Sequence, residues 1–453
     1  MSTETELKFH PGAADSFRER GERLLSAVKP IQDERVGRQF RAERHPTATF
    51  TEKDISRIRR ETVNCLTMEV SDIAFPAGDD LVGLAKEECE EVDKLSEAIQ
   101  RTTDFRPRVS RKFLRNTILD WLEARVLAQT DKDLPSYILE KANSAVTLFQ
   151  IWVPLANLAL EHEIRLGPVR VRPISREQLD SWYTEVREGK TPDDLEILDQ
   201  VLEKERAKLQ GLAAACITLR AERQFAVDKA LEKAEEVAAC FRLFHPANSQ
   251  PRAAFYCRAL GRENQESYSV LVVKNDKYEG RTDHMIPPYP VIWALSSEQL
   301  TALEEDLNLI RALLAVGQKT EFQQEALDAV LLYTRSTMIR EPVDKLVFIF
   351  SALESVLLKN EMEPIQTHIA DRLAFVLGVS VEERKSIVRL VRTCYGFRSK
   401  FIHHGRTLED FDTIAEFMKY VWVFFIRLTK FAHQYATRSE FLEAIETRKY
   451  SGP

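Results

Sequence analysis

Two hydrophobic rhythms run along this chain. From about residue 297 onward, apolar side chains recur every three or four positions, which gathers them on one face of a helix. The spacing predicts helices at about 297–315, 320–337, 342–359, 365–377, 381–402 and 410–437, with Gly317, Pro342, Pro364, Gly378 and Gly405 at element ends. Ser296 with Gln299, and Ser380 with Glu383, form capping boxes that open two of these helices. Upstream the rhythm changes. "TLFQIWVPLANLALEHEIRLGPVRVRPIS", from Thr147, is rich in Val, Ile, Leu and Trp and broken at Gly167 and Pro168, so it predicts strand, turn, strand. "AAFYCRAL" and "SYSVLVVKN", separated by Gly261 to Gln265, predict two more strands, and "MIPPYPVIWAL" closes the mixed region. The two hairpin-like units, 147–174 and 253–274, are expected to share one antiparallel sheet, because an isolated two-stranded hairpin is marginal. A long helix from about Asp194 to Arg242 is expected between them.

Before Thr147, "DDLVGLAKEECEEVDKLSEAIQ" and "SRKFLRNTILDWLEARVLA" carry helical periodicity, so residues 63 to about 145 read as mostly helical. The arginines of residues 1–62 are nearly balanced by acids. That segment reads as a solvated leader, partly disordered, with a short helix at Ser16 to Val28 and a loop at "RAERHPTATFTEKD", rather than as a nucleic-acid arm. The expected fold class is α+β and mostly helical, in three parts: an arginine-rich segment 1–62, a mixed region 63–296 holding a small antiparallel sheet, and a helical bundle 297–453.

Composition narrows the functional classes. Hydrophobic residues make up 44% and charged residues 30%, enough apolar material for a real core. The net charge of -7 excludes a chain that is polybasic throughout, so any nucleic-acid site is a local patch. The cysteines at 65, 89, 216, 240, 257 and 394 include no Cys-x-x-Cys pair, which argues for reduced thiols in a cytoplasmic protein rather than zinc or disulfides. "MSTETELKFH" is acidic and polar, unlike a signal peptide. The longest apolar run, Tyr420 to Ile426, is seven residues, far short of the roughly 20 a bilayer span needs.

The common reaction signatures are missing: no GxxxxGK[ST], GxGxxG, HExxH, GxSxG or HRD. "PDD" at 192–194 lacks a spaced E-x-K partner and reads as a helix cap. Glu161, His162 and Glu163 alternate faces of a predicted strand and read as hairpin surface; Asp283 and His284 read as a polar loop. No metal and no cofactor is expected.

One stretch stands apart. Residues 384–406, "RKSIVRLVRTCYGFRSKFIHHGR", hold seven Arg and Lys residues and no acid, a local charge that favours a polyanion. On a helix, with Ile387 at zero and ~100° per residue, Val391, Cys394, Arg398, Phe401 and Ile402 fall within about 60° of one line. Arg389, Arg392 and Lys400 fall roughly opposite. A guanidinium in an apolar stripe needs a partner: a buried acid, a carbonyl, or something that fills a groove. His403 is about 140° from Arg398 on a straight helix. Gly405 offers a stop that lets the chain bend past the histidines, bringing Arg398 and His403 toward one pocket. Histidine exchanges protons near neutral pH, and arginine grips phosphate. RNA carries its own nucleophile, the 2′-hydroxyl, so this pair suits a phosphodiester without a metal.

"YGFRSKFIHHG" resembles the R-x4–6-H signature of HEPN domains. "VFIFSALESVLLKN", with Ala352, Leu353 and Glu354, resembles the helix those domains carry upstream, and "IADRLAFVLG" the next one. The whole chain is similar to the ApeA-like HEPN group, whose HEPN domain is C-terminal; the likeness covers about 310 to 440 well and 147 to 300 loosely. The resemblance implies a metal-independent endoribonuclease of phage defence, toxin or stress systems, acting as a homodimer with two motifs facing across one groove. Carried over, it makes Arg398 and His403 the catalytic pair. It makes Ser399, where the family often has Asn, Asp or His, a supporting residue beside His404 and Glu354. Arg389, Arg392, Lys400 and Arg406 become RNA contacts. RNA, a second copy of the chain, and a phage or nucleotide trigger sensed upstream are the implied partners, with no membrane. Many HEPN domains are inactive, so the alternative is a non-catalytic dimerisation and binding module.

Overall fold

The structure, a computed structural model, describes residues 6–30, 59–63, 66–67, 69–77, 80–261, 266–274, 277–286, 292–315, 317–360, 362–404 and 410–450, with backbone only at 80, 185, 266–286 and 403–404. The "RAERHPTATFTEKD" stretch, Gly405 and Arg406, and the side chains of Asp283 and His284, lie outside the described residues. The chain divides into two compact units, 1–151 with 218–229, and 152–217 with 230–453. This division departs from the boundaries expected at 62/63 and 296/297.

In the first unit, α1 (Pro11–Ala27) precedes a four-stranded antiparallel sheet in the order β1-β4-β3-β2, built from β1 (Lys29–Pro30), β2 (Arg60–Val63), β3 (Val70–Ala77) and β4 (Asp80–Ala85). Three helices follow: α2 (Lys86–Gln100), α3 (Arg111–Val126) and α4 (Leu134–Ala145). Their core gathers Phe75, Leu84, Leu95, Phe105, Ile118 and Trp121. Helices dominate residues 63–145 as expected, but the start of "DDLVGLAKEECEEVDKLSEAIQ" is strand rather than helix. No glycine or proline separates β4 from α2, so their apolar positions read as one periodic run. Pairing with β3 (Ile73 with Leu84, Phe75 with Val82) makes the first part a strand, and local spacing cannot show that. Gly21 lets α1 press close: a Cβ there would meet Leu134 Cβ at 2.9 Å and Trp121 Cη2 at 3.3 Å.

One buried carboxylate caps a helix and holds the capping residue of another. Glu222 precedes α7 (Arg223–Phe244) and accepts from the backbone N–H groups of Gln224 (2.6 Å) and Phe225 (3.1 Å), satisfying that helix's first turn. It also accepts from the Ser110 hydroxyl at 2.8 Å, and Ser110 itself caps α3 by accepting from Phe113 N–H at 3.1 Å.

A second sheet runs in the order β5-β9-β8-β7, from β5 (Thr147–Pro154), β7 (Ile164–Leu166), β8 (Val169–Pro173) and β9 (Ala213–Ala221), with β7, β8 and residues 152–154 and 213–217 in the second unit. Between β8 and β9 come α5 (Arg176–Arg187) and α6 (Pro192–Leu209). The single helix expected from Asp194 to Arg242 is therefore α6, β9 and α7. Gly211, at φ 86°, turns the chain out of α6. All of Ala213 to Ile217 is buried, and a strand covered on both faces gives an unbroken apolar run that periodicity cannot tell from buried helix. The shared sheet is also corrected. β10 (Glu266–Lys274) and β11 (Lys277–Ile286) form a sheet of their own, and β6 (Leu158–Leu160) pairs in parallel with β12 (Trp293–Leu295). "AAFYCRAL" stays irregular apart from one bridge, Leu155 to Ala259. Its carbonyls serve side chains instead: Ala253 accepts from Lys345 (2.6 Å), Tyr256 from Asn157 (3.1 Å) and Cys257 from Arg242.

The remaining helices are α8 (Ser297–Ala302), α9 (Glu304–Ala315), α10 (Glu321–Tyr333), α11 (Pro342–Leu357), α12 (Ile365–Leu377), α13 (Val381–His404), α14 (Phe411–Phe431) and α15 (Arg438–Tyr450). The molecule is thus mostly helical with small sheets, as an α+β chain should be. Ser296 and Gln299 make the expected reciprocal box, whereas Glu383 accepts from Val379 N–H rather than from Ser380. The bundle core includes Phe350 stacked on Phe417 and Tyr333 stacked on Phe425, at 5.2 and 4.1 Å. Among the described residues no helix is long and apolar enough to cross a membrane.

Three cations lie inside this unit. Arg372, 1% exposed, donates to both oxygens of Glu363 at 2.7 and 2.8 Å, to Leu357 O at 2.5 Å and to Glu446 at 3.4 Å, joining α11, α12 and α15. Lys345 on α11 reaches Gln250 O and Ala253 O, and burial brings its ammonium down to about 7. Arg242 holds Cys257 O. A cut at 296/297 would strip Lys345 of both carbonyls. His245, stacked on Phe255 at 3.9 Å, is held down to about 4 by burial and then by Lys345, which keeps its Nδ1 free to accept from Ala247 N–H.

Two stability predictions follow from these contacts. Glu222→Ala removes the cap of α7, worth about 1 kcal/mol, and leaves the buried Ser110 hydroxyl without its acceptor, so urea unfolding should show a loss of about 1 kcal/mol or more. Hydrogen bonds from Arg372 hold the Glu363 carboxyl at about 2, below its ordinary 4.5. Its stabilising share is therefore complete above the ordinary value and is lost as pH falls from there through about 2. Arg372→Ala should cost about 3–5 kcal/mol at neutral pH, because Glu363 is left without its partner, and should flatten the stability profile over that acid window.

Candidate functional site

α13 is built as its periodicity demands. Ile387, Val391 and Cys394 are buried, Phe401 is half-buried, and Arg389, Arg392 and Lys400 are exposed. Ile402, placed at the edge of the apolar stripe by its register, is 53% exposed at the helix end. Because Ile387, Val391 and Cys394 are enclosed within a single chain, this stripe is bundle core and does not itself provide a surface for a second copy.

Arg398 follows on the inward side. Its Nη1 donates to Glu354 Oε1 of α11 at 3.1 Å, and the two side chains are 19% and 24% exposed. Its Nε is buried and has no partner among the described residues. Its guanidinium carbon lies 5.6 Å from the Tyr395 ring centre, and Tyr395 packs edge-on against Phe350 at 5.2 Å. Tyr395 is thus a packing residue and a cation–π neighbour. Glu354 is the acid that the apolar setting of Arg398 required. Burial raises the Glu354 carboxyl above its ordinary value, and Arg398 opposes that rise. Ser399 is half-buried and makes no side-chain hydrogen bond among the described residues.

The helix continues through both histidines. Within the helix, positions 398 and 403 are about 140° apart in register; the bend expected past the histidines, at Gly405, lies outside the described residues. The side chains of His403 and His404 lie outside the described residues, as does Arg406. The structure therefore brings Arg398 and Glu354 together, and sets Arg389, Arg392 and Lys400 on the opposite face.

The other sequence candidates resolve into structural roles. Thr191 and Asp194 form a reciprocal capping box at "PDD". Glu161 accepts from Ser297 N–H at 2.5 Å, His162 Nδ1 lies 3.0 Å from the Ser297 hydroxyl, and Glu163 meets Arg172 at 3.5 Å. Among the described residues no three His, Cys, Asp or Glu side chains are grouped to hold a metal ion.

Some residues escaped sequence reasoning. Arg372 lies in the apolar rhythm of "IADRLAF" as Arg398 does in its own, and the same helical projection would have flagged it. Lys385 shares the exposed side of α13 with Arg389 and Arg392. Gly396 lies on that side too: a Cβ added there meets nothing within 4 Å, so packing does not require the glycine. A helix-interior glycine costs about 1 kcal/mol relative to alanine. Comparison with protein-family models, curated proteins and solved structures gives no match.

Because Arg398 offsets the burial of Glu354, Arg398→Ala should push the Glu354 carboxyl further up, readable by carbon NMR of labelled glutamate. A raised carboxyl favours the fold when protonated. The variant should therefore lose stability as pH rises through the ordinary carboxylate range, more steeply than the parent. Glu354→Gln should remove that slope.

Proposed function

We propose that this protein is a metal-independent endoribonuclease of the HEPN type, acting as a homodimer in the cytoplasm in phage defence or stress response. The observation that carries the reading is an arginine held inside a helical face by a half-buried acid, five residues before a histidine pair, on a helix whose outer side is basic. In this reading His403 takes the proton of the ribose 2′-hydroxyl or returns one to the leaving 5′-oxygen. The 2′-oxygen attacks the neighbouring phosphorus, the bond to the 5′-oxygen breaks, and a 2′,3′-cyclic phosphate forms. Arg398 offsets the charge that builds on the phosphate, with Glu354 fixing its orientation. On one continuous helix positions 398 and 403 diverge, so their meeting on one phosphate calls for a groove shared with a second copy, or for an opened last turn. His404 and Ser399 are supporting groups, Arg406 is an RNA contact, and a phage or nucleotide trigger acts through the residues before 297.

A second reading is favoured by one observation. Arg398 is only 19% exposed and already paired with Glu354, which suits a structural arginine in a non-catalytic dimerisation and binding module.

Incubation of the purified protein with total RNA in EDTA separates the two. The nuclease reading predicts cleavage that persists in EDTA and falls about 10²–10⁴-fold in His403→Ala. It predicts a comparable fall in Arg398→Ala with no rescue by Arg398→Lys, since an ammonium lacks the planar fork that matches phosphate. His404→Ala should be milder. Cleavage that survives both alanine substitutions, or that EDTA abolishes, rejects the mechanism. A dimer by light scattering at micromolar concentration is expected under either reading.

A further inference from the structure

Lys385, Arg389, Arg392 and Lys400 are all exposed, and among the described residues none makes an ion pair. In helical register they fall within about 80° of one another, on a line that also passes through Gly396. From Lys385 to Lys400 the line runs ~22 Å along α13 at ~1.5 Å per residue. The acids of this helix, Glu382 and Glu383, lie in its first turn, before the line begins. Four unpaired cations on one face raise the local potential of a chain whose net charge is -7. Gly396 interrupts them with a patch of bare helix backbone that no packing demands.

We propose that this stripe is a track for the phosphodiester backbone of RNA, with Lys385, Arg389, Arg392 and Lys400 as its phosphate contacts and Gly396 as the place where the strand approaches the helix most closely. The inference rests on the RNA-directed reading above for the identity of the polyanion, but not on catalysis. At ~3.4 Å of axial rise per nucleotide, the stripe matches about six phosphates of one strand. Contacts of this kind position a strand without reading its bases. A membrane surface fits less well. The stripe carries no large apolar side chain to enter a bilayer, and Ile402 lies about 120° away in register.

The experiment is fluorescence anisotropy of a labelled single-stranded RNA against the full chain, from 50 to 200 mM salt. Four phosphate contacts give a slope of log affinity against log salt near −3, about a 50-fold loss over that range. Lys385→Gln and Arg392→Gln, each alone, should lower the slope by ~0.7. The quadruple glutamine variant should abolish the stripe's share. Gly396→Leu should weaken binding while leaving the slope intact, and Gly396→Ala should raise the melting temperature. Circular dichroism checks that each variant is folded, and the single substitutions decide the matter if the quadruple one is not. RNA affinity and slope unchanged in the single variants would overturn the proposal. So would binding to phosphatidylserine vesicles in place of RNA. Stripe-dependent binding without cleavage upholds the track and rejects the nuclease; cleavage with stripe-independent binding does the reverse.

Discussion

A buried cation must be given partners, and in the second unit that requirement organises the chain. A charge withdrawn from water without compensation costs several kcal/mol. Arg372 meets it with a bidentate carboxylate, a second acid and a helix-terminal carbonyl, and so draws three helices to one point. Lys345 meets it with backbone carbonyls, and Arg242 with a backbone carbonyl and the Glu235 carboxylate at 3.7 Å. Those carbonyls come from residues 250–257, which explains why a segment of strand-like composition does not become a strand. It also explains why the expected boundary at 296/297 fails: residues on either side of it complete one another's polar groups.

Arg398 obeys the same requirement, but less completely. One nitrogen meets Glu354, another is buried with no partner among the described residues, and a fifth of the side chain stays open. Arg372 is saturated and structural; Arg398 retains capacity to bind something further. The two faces of α13 then divide the work. The inner side holds one arginine against one acid beneath an aromatic packing layer, and the outer side presents a row of cations with no acids among them. In the proposed reading, a polyanion lying along the outer row would reach the helix end that carries His403.

The legible parts of the sequence were those where local spacing and final structure answer to the same rule. The helices between Glu321 and Phe431, the inward turn of Ile387, Val391, Cys394 and Arg398, and the caps at Ser296 and "PDD" follow from periodicity and capping chemistry. The illegible parts were decided by contacts far away in sequence. β4 is a strand because β3 pairs with it, and β9 because strands cover both its flanks. "AAFYCRAL" is irregular because buried side chains claim its carbonyls. At the candidate site, the need of Arg398 for an acid was legible, and Glu354 was among the named candidates. The continuity of α13 through His404 was not, since Gly405 offered a stop but could not say whether the turn before it would open.

The chemistry of the cut end tests the account most directly. After incubation of a single defined RNA oligonucleotide with the purified protein in EDTA, mass spectrometry of the upstream fragment reads its terminus. Attack by the neighbouring 2′-hydroxyl predicts a 2′,3′-cyclic phosphate, or the 3′-phosphate it hydrolyses to, with a 5′-hydroxyl on the downstream piece. A 3′-hydroxyl paired with a 5′-phosphate would mean that water attacked from outside the ribose, and would contradict the role given to Arg398 and His403.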